Sequence, residues 1–313
     1  MSTIKKVAVI GTGVIGAGWI IRCLAHNKIV YAFDKDLTLK KKLLAEIKRT
    51  WPYVKKLFNK KKLNFKNFKY FTSIQETLKD ADFIQECATE NYVLKNKLMK
   101  IIGNYAKSNA IISSSSSGLL PTRIYSQCKK PERAMIGHPF NPVYLLPAVE
   151  IVPGKKTANK YLNKANKFYK SISMNPIIVK HELPGYLSDR LQEALWREGL
   201  HIINEGHATT EDLDRAIEDG PGLRWSLMGT FLTFHLAGGK SGMKHMLEQF
   251  GPALKLPWTK LKAPSLSNRL IDKLVKGTKK QSKGKSVTKI SNIRDEYLVE
   301  LQKLRKKYEK KLR

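Results

Sequence analysis

VAVIGTGVIG, residues 7–16, decides the fold, because an apolar run that suits a strand is followed at once by the glycine pattern G-x-G-x-x-G. Gly11 permits a tight turn, Gly13 lets the backbone approach a pyrophosphate, and Gly16 allows the next helix to pack closely on the strand. Residues 17–25 suit that helix, whose N-terminal amides bind negative charge. The stretch therefore predicts a dinucleotide-binding turn. The residues expected to contact the cofactor here are Gly11, Thr12, Gly13, Val14, Ile15 and Gly16.

The next apolar run, IVYAF at 29–33, indicates which dinucleotide binds. It ends at Asp34, 18 residues after Gly16. A carboxylate at this place accepts hydrogen bonds from both hydroxyls of the adenine ribose and repels a 2′-phosphate. The pattern predicts NAD rather than NADP, although the neighbouring Lys35 weakens that preference slightly. The alternative is that the glycines serve only a tight turn and that Asp34 is solvated.

GHPFNPVYLLPAVE, residues 137–150, carries a candidate catalytic pair. His138 ends one apolar run, and Glu150 lies twelve residues later inside a second one. A histidine that takes a proton from a hydroxyl needs a partner that fixes its tautomer and stabilises its charged form, and a carboxylate on the neighbouring strand does both. We therefore predict a catalytic dyad of His138 and Glu150, with a purely structural pair as the alternative.

Length and composition favour a cytoplasmic enzyme. A chain of 313 residues predicts two domains, each with its own core. No run approaches the ~20 apolar residues of a membrane span, and the first residues lead straight into a strand, so neither a membrane anchor nor a signal peptide is expected. Cys23, Cys87 and Cys128 are far apart, which is typical of free thiols in a reducing compartment. No metal site is predicted.

The formal net charge of +32 raises the possibility of nucleic-acid binding. However, the 58 basic residues comprise 12 arginines and therefore 46 lysines, spread over the whole chain. Because arginine supplies the planar fork used in base and phosphate recognition, a surplus of lysine is weak support for that function. We predict a solvated surface and no nucleic-acid partner. The basic runs at 40–44 and 59–69 flank apolar positions at helical spacing, so we interpret them as exposed faces of helices.

The order of elements predicts an α/β fold. Up to Pro184-Gly185, strand-like runs alternate with helical segments, and beyond it only helical segments follow. The N-terminal part, residues 1–183, is predicted as a Rossmann-type doubly wound sheet, and residues 184–313 as an all-helical domain. The predicted strands are VAVI, IVYAF, DFIQE, AIIS, AMIGH, AVEIV and PIIV. The predicted helices lie near 16–27, 37–58, 92–106, 158–171, 186–205, after 209, and at 225–237, 243–250, 266–276 and 290–312.

The chain resembles the 3-hydroxyacyl-CoA dehydrogenase family along essentially its whole length. Four motifs lie in the order and spacing of that family: GTGVIG (11–16), SSSSSGLLPT (113–122), GHPFNP (137–142) and PGYLSDRL (184–191). Three C-terminal segments resemble the branch that oxidises L-carnitine: 194–214, 220–239 and 249–261. The resemblance implies NAD-dependent oxidation of a 3-hydroxyl group, a homodimer built largely through the helical domain, and an active site in the cleft between the domains.

The resemblance also implies roles for individual residues. His138 matches the catalytic base and Glu150 its partner. Ser117, 21 residues before His138, matches a serine that hydrogen-bonds the substrate oxygen, with Ser116 as the alternative because serines crowd this stretch. Three further residues match positions that line the nicotinamide-ribose side of the site, although the last two could instead form an ordinary charge pair. They are Asn141, Glu90 and Lys95.

Substrate recognition is predicted from two features. Asp189 stands where the acyl-CoA enzymes have Asn, which fits the carnitine-like branch; the alternative is a structural pair with Arg190 or Lys180. A trimethylammonium group is best held by aromatic faces, and Phe140, two residues from His138, is the strongest candidate. The other available rings, mostly expected in the core, are Tyr144, Trp196, Trp225, Phe231 and Phe234. Candidates for the carboxylate of such a substrate are Arg190 and Arg224.

The sequence therefore predicts NAD-dependent oxidation of the 3-hydroxyl of L-carnitine to 3-dehydrocarnitine, with His138 as general base. A 3-hydroxyacyl-CoA or L-gulonate 3-dehydrogenase of the same fold would share the N-terminal motifs. Outside enzymes, the chain could be a basic scaffold or a catalytically silent relative that has kept the cofactor site. The presence of Ser117, His138 and Glu150 together argues against silence.

Overall fold

The computed structural model describes residues 4–58, 62–205, 207–208, 210–225 and 228–259, together with 268, 272, 275, 279, 282–286, 289–290, 293 and 304. The chain divides into two compact units, Met1–Leu191 and Gln192–Arg313. The helices predicted at 266–276 and 290–312 lie largely outside the described residues, as does Thr209, where another helix was predicted to begin.

The first unit is built on one eight-stranded sheet with the order β3-β2-β1-β4-β5-β6-β7-β8. Neighbouring strands are parallel except for β6 and β7, which pair in antiparallel fashion. The predicted doubly wound sheet is confirmed. The strands are β1 (Lys6–Ile10), β2 (Ile29–Phe33), β3 (Phe68–Tyr70), β4 (Phe83–Glu86), β5 (Ile111–Ser114), β6 (Ala134–Pro139), β7 (Ala148–Pro153) and β8 (Asn175–Ile178).

Helices cover both faces of this sheet. Val7 and Val9 on β1 point into one hydrophobic cluster, and Ala8 and Ile10 into a second, as the two-residue period of a strand requires when both faces are buried. The helices of the first unit are α1 (Val14–Ala25), α2 (Leu39–Leu57), α3 (Ile74–Lys79), α4 (Tyr92–Tyr105), α5 (Pro121–Ile124) and α6 (Asn159–Ser171).

Only helices follow β8 in the part of the chain that the structure describes. The predicted change from an α/β to an all-helical arrangement is therefore confirmed. These helices are α7 (Ser188–Asn204), α8 (Thr210–Glu218), α9 (Gly222–Trp225), α10 (Thr230–Ala237) and α11 (Gly242–Phe250). No helix among the described residues is both long enough and apolar enough to cross a membrane.

The turn between β1 and α1 sets the position of the first helix. A Cβ added at Gly16 would overlap the carbonyl oxygen of Gly11, so only glycine lets the helix lie this close to the strand. Close packing buries Trp19, Ile20 and Ile21 completely or nearly so. Full burial of a large apolar side chain contributes about 1.5–3 kcal/mol, so these residues fix α1 against the sheet.

Arg22 connects α1 to two distant loops. Its buried guanidinium donates hydrogen bonds to the carbonyl oxygens of Val143 (2.6 Å), Leu146 (2.9 Å), Ile172 (3.1 Å) and Ser173 (3.0 Å). Burial lowers the pKa of Arg22 to about 10, so the group stays charged at neutral pH. No carboxylate is among these partners: the cation is held by carbonyl dipoles and by the Phe58 ring, whose centroid lies 5.3 Å from the guanidinium carbon. Arg22 thereby anchors the segment that follows the HPFNP motif.

The basic run at 59–69 is not helical where the structure describes it, so that prediction was wrong. Phe65–Asn67 form a short 3-10 turn, and β3 follows directly. Residues Val30 and Ala32 of β2 pair with Phe68 and Tyr70 of β3. This three-residue edge strand is stabilised by its pairing with a buried neighbour, a tertiary effect that the local spacing of apolar residues does not reveal.

The expectation that most of the additional aromatic rings lie in the core was also wrong. Tyr144 packs against the core of the first unit. The other four rings are exposed on α7, α9 and α10. They are Trp196, Trp225, Phe231 and Phe234.

Arg22 provides a test of this account of the fold. Replacing it in Arg22→Met should lower the free energy of unfolding by about 2–4 kcal/mol, because buried carbonyl groups lose their donor. The midpoint of urea unfolding, followed by circular dichroism, measures the change. Arg49→Met is the matched control, since Arg49 is exposed and forms a surface ion pair with neighbouring Glu46, and it should leave the midpoint nearly unchanged. Equal midpoints for both variants would contradict the anchoring role.

Candidate active site

The predicted cofactor loop lies where the strand order reverses between β1 and β4, the usual place for ligands of open α/β sheets. Gly11 has φ +95° and turns the chain out of β1. A Cβ added at Gly13 would meet no atom within 4 Å, and no side chain caps α1 there. Val14 is exposed and Ile15 half-buried. An open backbone at an uncapped helix N-terminus fits the pyrophosphate of a dinucleotide.

Asp34 follows β2 and faces this loop. One carboxylate oxygen, Oδ2, accepts hydrogen bonds from the Thr12 amide (2.6 Å) and hydroxyl (3.3 Å). The other, Oδ1, accepts one from the Asp36 amide (3.1 Å). A carboxylate offers about four acceptor positions, so Asp34 can still receive ribose hydroxyls. Lys35 is exposed beside it.

Tyr70, the last residue of β3, is a neighbour of Asp34 that the sequence reasoning missed. Burial raises the pKa of the Tyr70 hydroxyl, and the negative charges of Asp34 and Asp36 raise it further. The ring therefore lies next to the carboxylate predicted to bind ribose. The ammonium group of Lys40 lies 5.6 Å from the ring centroid, which adds a cation to this end of the loop.

His138 and Glu150 lie directly opposite each other in the antiparallel pair of β6 and β7. His138 Nδ1 is 2.8 Å from Glu150 Oε2. The two residues, twelve positions apart in the sequence, thus form the pair that was predicted, with the imidazole Nε2 on the side away from Glu150. A carboxylate at Nδ1 keeps the proton of a neutral imidazole on that nitrogen and leaves Nε2 as an acceptor.

Both carboxylate oxygens of Glu150 already have partners within the protein. Oε1 accepts the backbone amides of Leu187 and Ser188, each at 3.0 Å, and the side chain is 0% exposed. Burial by itself would raise the pKa of this carboxyl, but the hydrogen bonds from His138 and Ser188 outweigh it, and the pKa lies below its ordinary value. Glu150 therefore remains an anion throughout the range in which a histidine titrates.

Asp189 and Phe140 also lie beside the imidazole. Asp189 Oδ1 is 3.9 Å from His138 Nε2, and the Phe140 ring is tilted against the imidazole with 5.5 Å between centroids. The Tyr186 ring is also tilted against the imidazole, with 5.7 Å between the ring centroids. Within 4 Å, the described residues give Asp189 no ion pair with Arg190 or Lys180. The structure thus brings both predicted substrate residues to His138.

Glu90 binds the serine-rich loop after β5 through hydrogen bonds. Its Oε1 accepts the Ser116 hydroxyl and the backbone amides of Ser117 (3.1 Å) and Gly118 (3.4 Å). Ser116 is buried, and its oxygen also accepts the Leu119 amide at 3.2 Å. Ser117 is exposed. Since the Ser116 hydroxyl is committed to Glu90, the geometry favours Ser117 as the residue that presents a hydroxyl to a ligand.

Lys95 is held by a carboxylate that the sequence reasoning missed. Its Nζ is buried and lies 2.9 and 3.0 Å from the two oxygens of Glu86 and 3.0 Å from the Ala88 carbonyl oxygen. Glu90 is more distant, at 3.5 Å, so the Glu90–Lys95 pair exists but is secondary. An acidic residue at the last position of the buried strand DFIQE was the available signal, because a buried charge requires a partner.

A buried polar network supports the strand that carries His138. Gln85 on β4 donates to the Gly137 carbonyl (3.2 Å) and to the Ser115 hydroxyl (2.8 Å), and its oxygen accepts the Tyr169 hydroxyl (2.8 Å). Tyr169 also contacts Ser113 at 2.8 Å. A side chain on Gly137 would overlap both of these hydroxyls. The residue before His138 is therefore fixed by hydrogen bonds and by contact.

For the remaining predicted residues, the structure gives the element and the unit in which each one lies. Asn141 is exposed just after Phe140. Arg190 follows Asp189 in α7, whereas Arg224 belongs to α9 in the second unit. In the part of the chain that the structure describes, no group of three His, Cys, Asp or Glu side chains could hold a metal ion.

Protein families and relatives match this chain along most of its length. Residues 6–182 match the NAD binding domain of 3-hydroxyacyl-CoA dehydrogenase, and residues 185–286 match the C-terminal domain of that enzyme. L-carnitine dehydrogenase from Oceanobacillus iheyensis is 50% identical over 297 residues, covering 95% of this chain and 97% of the relative. L-carnitine dehydrogenase from Bacillus cereus is 48% identical over 307 residues, covering 98% of this chain and 94% of the relative.

Solved structures show the same fold. A 3-hydroxyacyl-CoA dehydrogenase from Archaeoglobus fulgidus aligns with a TM-score of 0.70 at 23% identity, covering 96% of this chain and 98% of that one. Likeness at this identity concerns the fold alone, whereas the two family domains together account for most of the chain. The chain belongs to the 3-hydroxyacyl-CoA dehydrogenase family and carries its NAD-binding domain.

Proposed function

We propose that this chain oxidises the 3-hydroxyl of L-carnitine to 3-dehydrocarnitine with NAD. The observation that carries the chemistry is the 2.8 Å bond between His138 Nδ1 and Glu150 Oε2, because it leaves Nε2 as the acceptor for a hydroxyl proton. The choice of L-carnitine is supported by relatives of that name at 50% and 48% identity over almost the whole chain.

His138 acts as general base in this proposal. Its Nε2 takes the proton of the substrate 3-hydroxyl, and the charge gained by the ring is balanced by Glu150, which stays ionised. Ser117 hydrogen-bonds the substrate oxygen and keeps it in line with Nε2. General-base help of this kind is typically worth ~10²–10⁴-fold in rate. Bound NAD supplies the redox chemistry by accepting a hydride from C3.

The cofactor is held by the first part of the chain. The backbone of the loop from Gly11 to Gly16 binds the pyrophosphate, and Asp34 binds the ribose hydroxyls. Glu90 and Asn141 line the nicotinamide-ribose side. Because the amine of Lys95 is already engaged by Glu86 and Ala88, we assign Lys95 the indirect role of fixing Glu86 and Glu90.

Charge and aromatic contact select the substrate. The chain has 58 basic and 26 acidic residues, yet the groups that shift the pKa of Asp189 include two further carboxylates, Glu150 and Glu90. This local excess of acids favours a cation, and the Phe140 face can contact the methyl groups of a trimethylammonium group. Arg190 and Arg224 remain the candidates for the substrate carboxylate.

Assembly and location follow from the family resemblance. We propose a homodimer in the cytoplasm. Support for the dimer comes from large aromatic side chains that are exposed on the helical unit, such as Trp196, Phe231 and Phe234, because a partner subunit would bury them.

A substrate panel tests the proposed function. NADH formation at 340 nm should be fastest with L-carnitine and slower with 3-hydroxybutyryl-CoA and L-gulonate, since neither of these carries a quaternary ammonium group. A higher kcat/KM for the CoA thioester would assign the chain to the acyl-CoA enzymes of the same family. The absence of turnover with any 3-hydroxy substrate would leave a catalytically silent relative.

Substitution of the dyad should separate catalysis from cofactor binding. His138→Ala should lower kcat by ~10²–10⁴-fold and leave NAD binding, measured by fluorescence titration, nearly intact. Glu150→Gln should lower kcat less than His138→Ala does, since the amide can still orient the ring but stabilises the imidazolium less well. Retention of more than about a tenth of wild-type kcat in His138→Ala would exclude that role.

Asp34 should determine the preference for NAD. Asp34→Ala should weaken the binding of NAD by roughly tenfold or more, because charge-assisted hydrogen bonds are lost. It should also reduce the preference for NAD over NADP, measured as the ratio of the kcat/KM values for the two cofactors. Asp34→Asn keeps an acceptor for the Thr12 amide and should show the charge effect alone. Asp36→Ala is the control, because that exposed carboxylate hydrogen-bonds Thr38. Equal use of both cofactors by the unaltered chain would refute the role of Asp34.

Phe140 should act on the substrate and not on the cofactor. Phe140→Ala should raise KM for L-carnitine about 2- to 30-fold, the equivalent of ~0.5–2 kcal/mol of cation–π contact, with little change in KM for NAD. Phe140→Tyr keeps the ring face and should be mild. 3-Hydroxybutyrate, which lacks the cation, should be a poor substrate. If it were turned over as efficiently as L-carnitine, recognition of the cation would be disproved.

A further inference from the structure

Asp189 lies in the first turn of α7 with Oδ1 3.9 Å from His138 Nε2, and its side chain is 35% exposed. It therefore connects the nitrogen that receives the substrate proton with the solvent. We propose that Asp189 is a proton-relay residue, which takes the proton from His138 after each oxidation and passes it to water. This inference rests on the proposed function, since it requires His138 to act as the base.

The proton cannot leave from the Nδ1 side of the imidazole. Nδ1 is bonded to Glu150, whose two oxygens are occupied by His138 and by the Leu187 and Ser188 amides. Glu150 is 0% exposed, so it has no path to water. A proton taken up at Nε2 must leave from Nε2.

Direct release from His138 to water is restricted as well. The His138 side chain is only 8% exposed, and a substrate placed at Nε2 would cover it further. Glu90 is not an alternative acceptor, because it is engaged by Lys95, Ser116 and backbone amides. Asp189 is the remaining carboxylate next to Nε2 among the described residues, and it makes no hydrogen bond within that part of the chain that would compete for its oxygens.

The charged groups that face Asp189 favour this role. They are His138 on β6, Glu150 on β7 and Glu90 ahead of α4. Burial raises the pKa of Asp189, the two carboxylates raise it further, and His138 opposes them, with a net rise. A carboxyl whose pKa lies above its ordinary value is closer to that of an imidazole, and proton transfer is most efficient between matched groups.

The steps balance as follows. The substrate O–H bond breaks and its proton goes to His138 Nε2, while the electron pair of the C3–H bond leaves with the hydride accepted by NAD. The proton then passes from Nε2 to the Asp189 carboxylate, through a small rotation of the side chain or one water across the 3.9 Å gap. Asp189 gives it to solvent, and His138 is neutral again. A neutral Asn at this position could not accept the proton.

Chemical rescue tests the relay. Asp189→Asn is nearly isosteric and should lower kcat in dilute buffer by roughly tenfold, less than the loss of the base itself. Imidazole added as a small proton carrier should restore most of the lost kcat in this variant and leave the unaltered chain unaffected. With a pH-indicator dye in stopped flow, proton release in Asp189→Asn should lag behind NADH formation, whereas the two should coincide in the unaltered chain.

Two variants serve as controls. Asp189→Glu keeps a carboxylate and should retain most of the activity without imidazole. Glu193→Gln removes the same charge one turn along α7, where the carboxylate pairs with Arg197 at 3.1 Å, and should behave like the unaltered chain. Full kcat in Asp189→Asn, a change confined to KM, or a loss that imidazole does not relieve would each overturn the relay while the proposed function stands. Failure of the unaltered chain to oxidise any 3-hydroxy substrate would overturn both.

Discussion

The hydrogen bond between His138 and Glu150 is the interaction on which the rest of the site depends, and one exception in the sheet makes it possible. β6 and β7 are antiparallel within a sheet whose other pairs are parallel. Antiparallel strands need only a short connection, so residues twelve positions apart can face each other directly. A parallel β7 would require a crossover of a dozen or more residues, and the short segment between His138 and Glu150 could not supply it.

The surrounding structure holds both partners of this bond in place. Gln85 and Tyr169 fix the backbone before His138, and Arg22 binds the carbonyls of the segment between the two strands. Glu150 in turn accepts the amides of Leu187 and Ser188, so the start of α7, with Asp189, is positioned by the same carboxylate. One buried acid thus sets the tautomer of the imidazole and the location of the group beyond its far nitrogen.

Local patterns predicted the parts of the site that are local in the chain. The glycine loop and the dyad could be found because their spacing is imposed by a single turn or a single strand pair. Asp34 follows β2 at a distance fixed by one helix. By contrast, Glu86 as the partner of Lys95, and β3 as an edge strand, depend on contacts between separate elements. Spacing along the chain carries little information on such contacts. For Glu86, the available signal was the position of an acidic residue at the end of a buried strand.

The charge around the candidate site differs in sign from the net charge of the chain. A chain with a net charge of +32 would draw anions to its surface, but the acids around His138 oppose that field within a few ångströms, where burial strengthens electrostatic interactions. Each acid is balanced in a different way: Glu86 by Lys95, Glu150 by His138 and two amides, and Glu90 by Lys95 and the serine loop. Asp189 lies beside the imidazole at 3.9 Å and also faces the carboxylates of Glu150 and Glu90. Under the proposed function, a carboxylate left partly uncompensated beside His138 attracts a cationic substrate, and in the proposed relay the same carboxylate accepts the proton from His138. A neutral Asn could do neither.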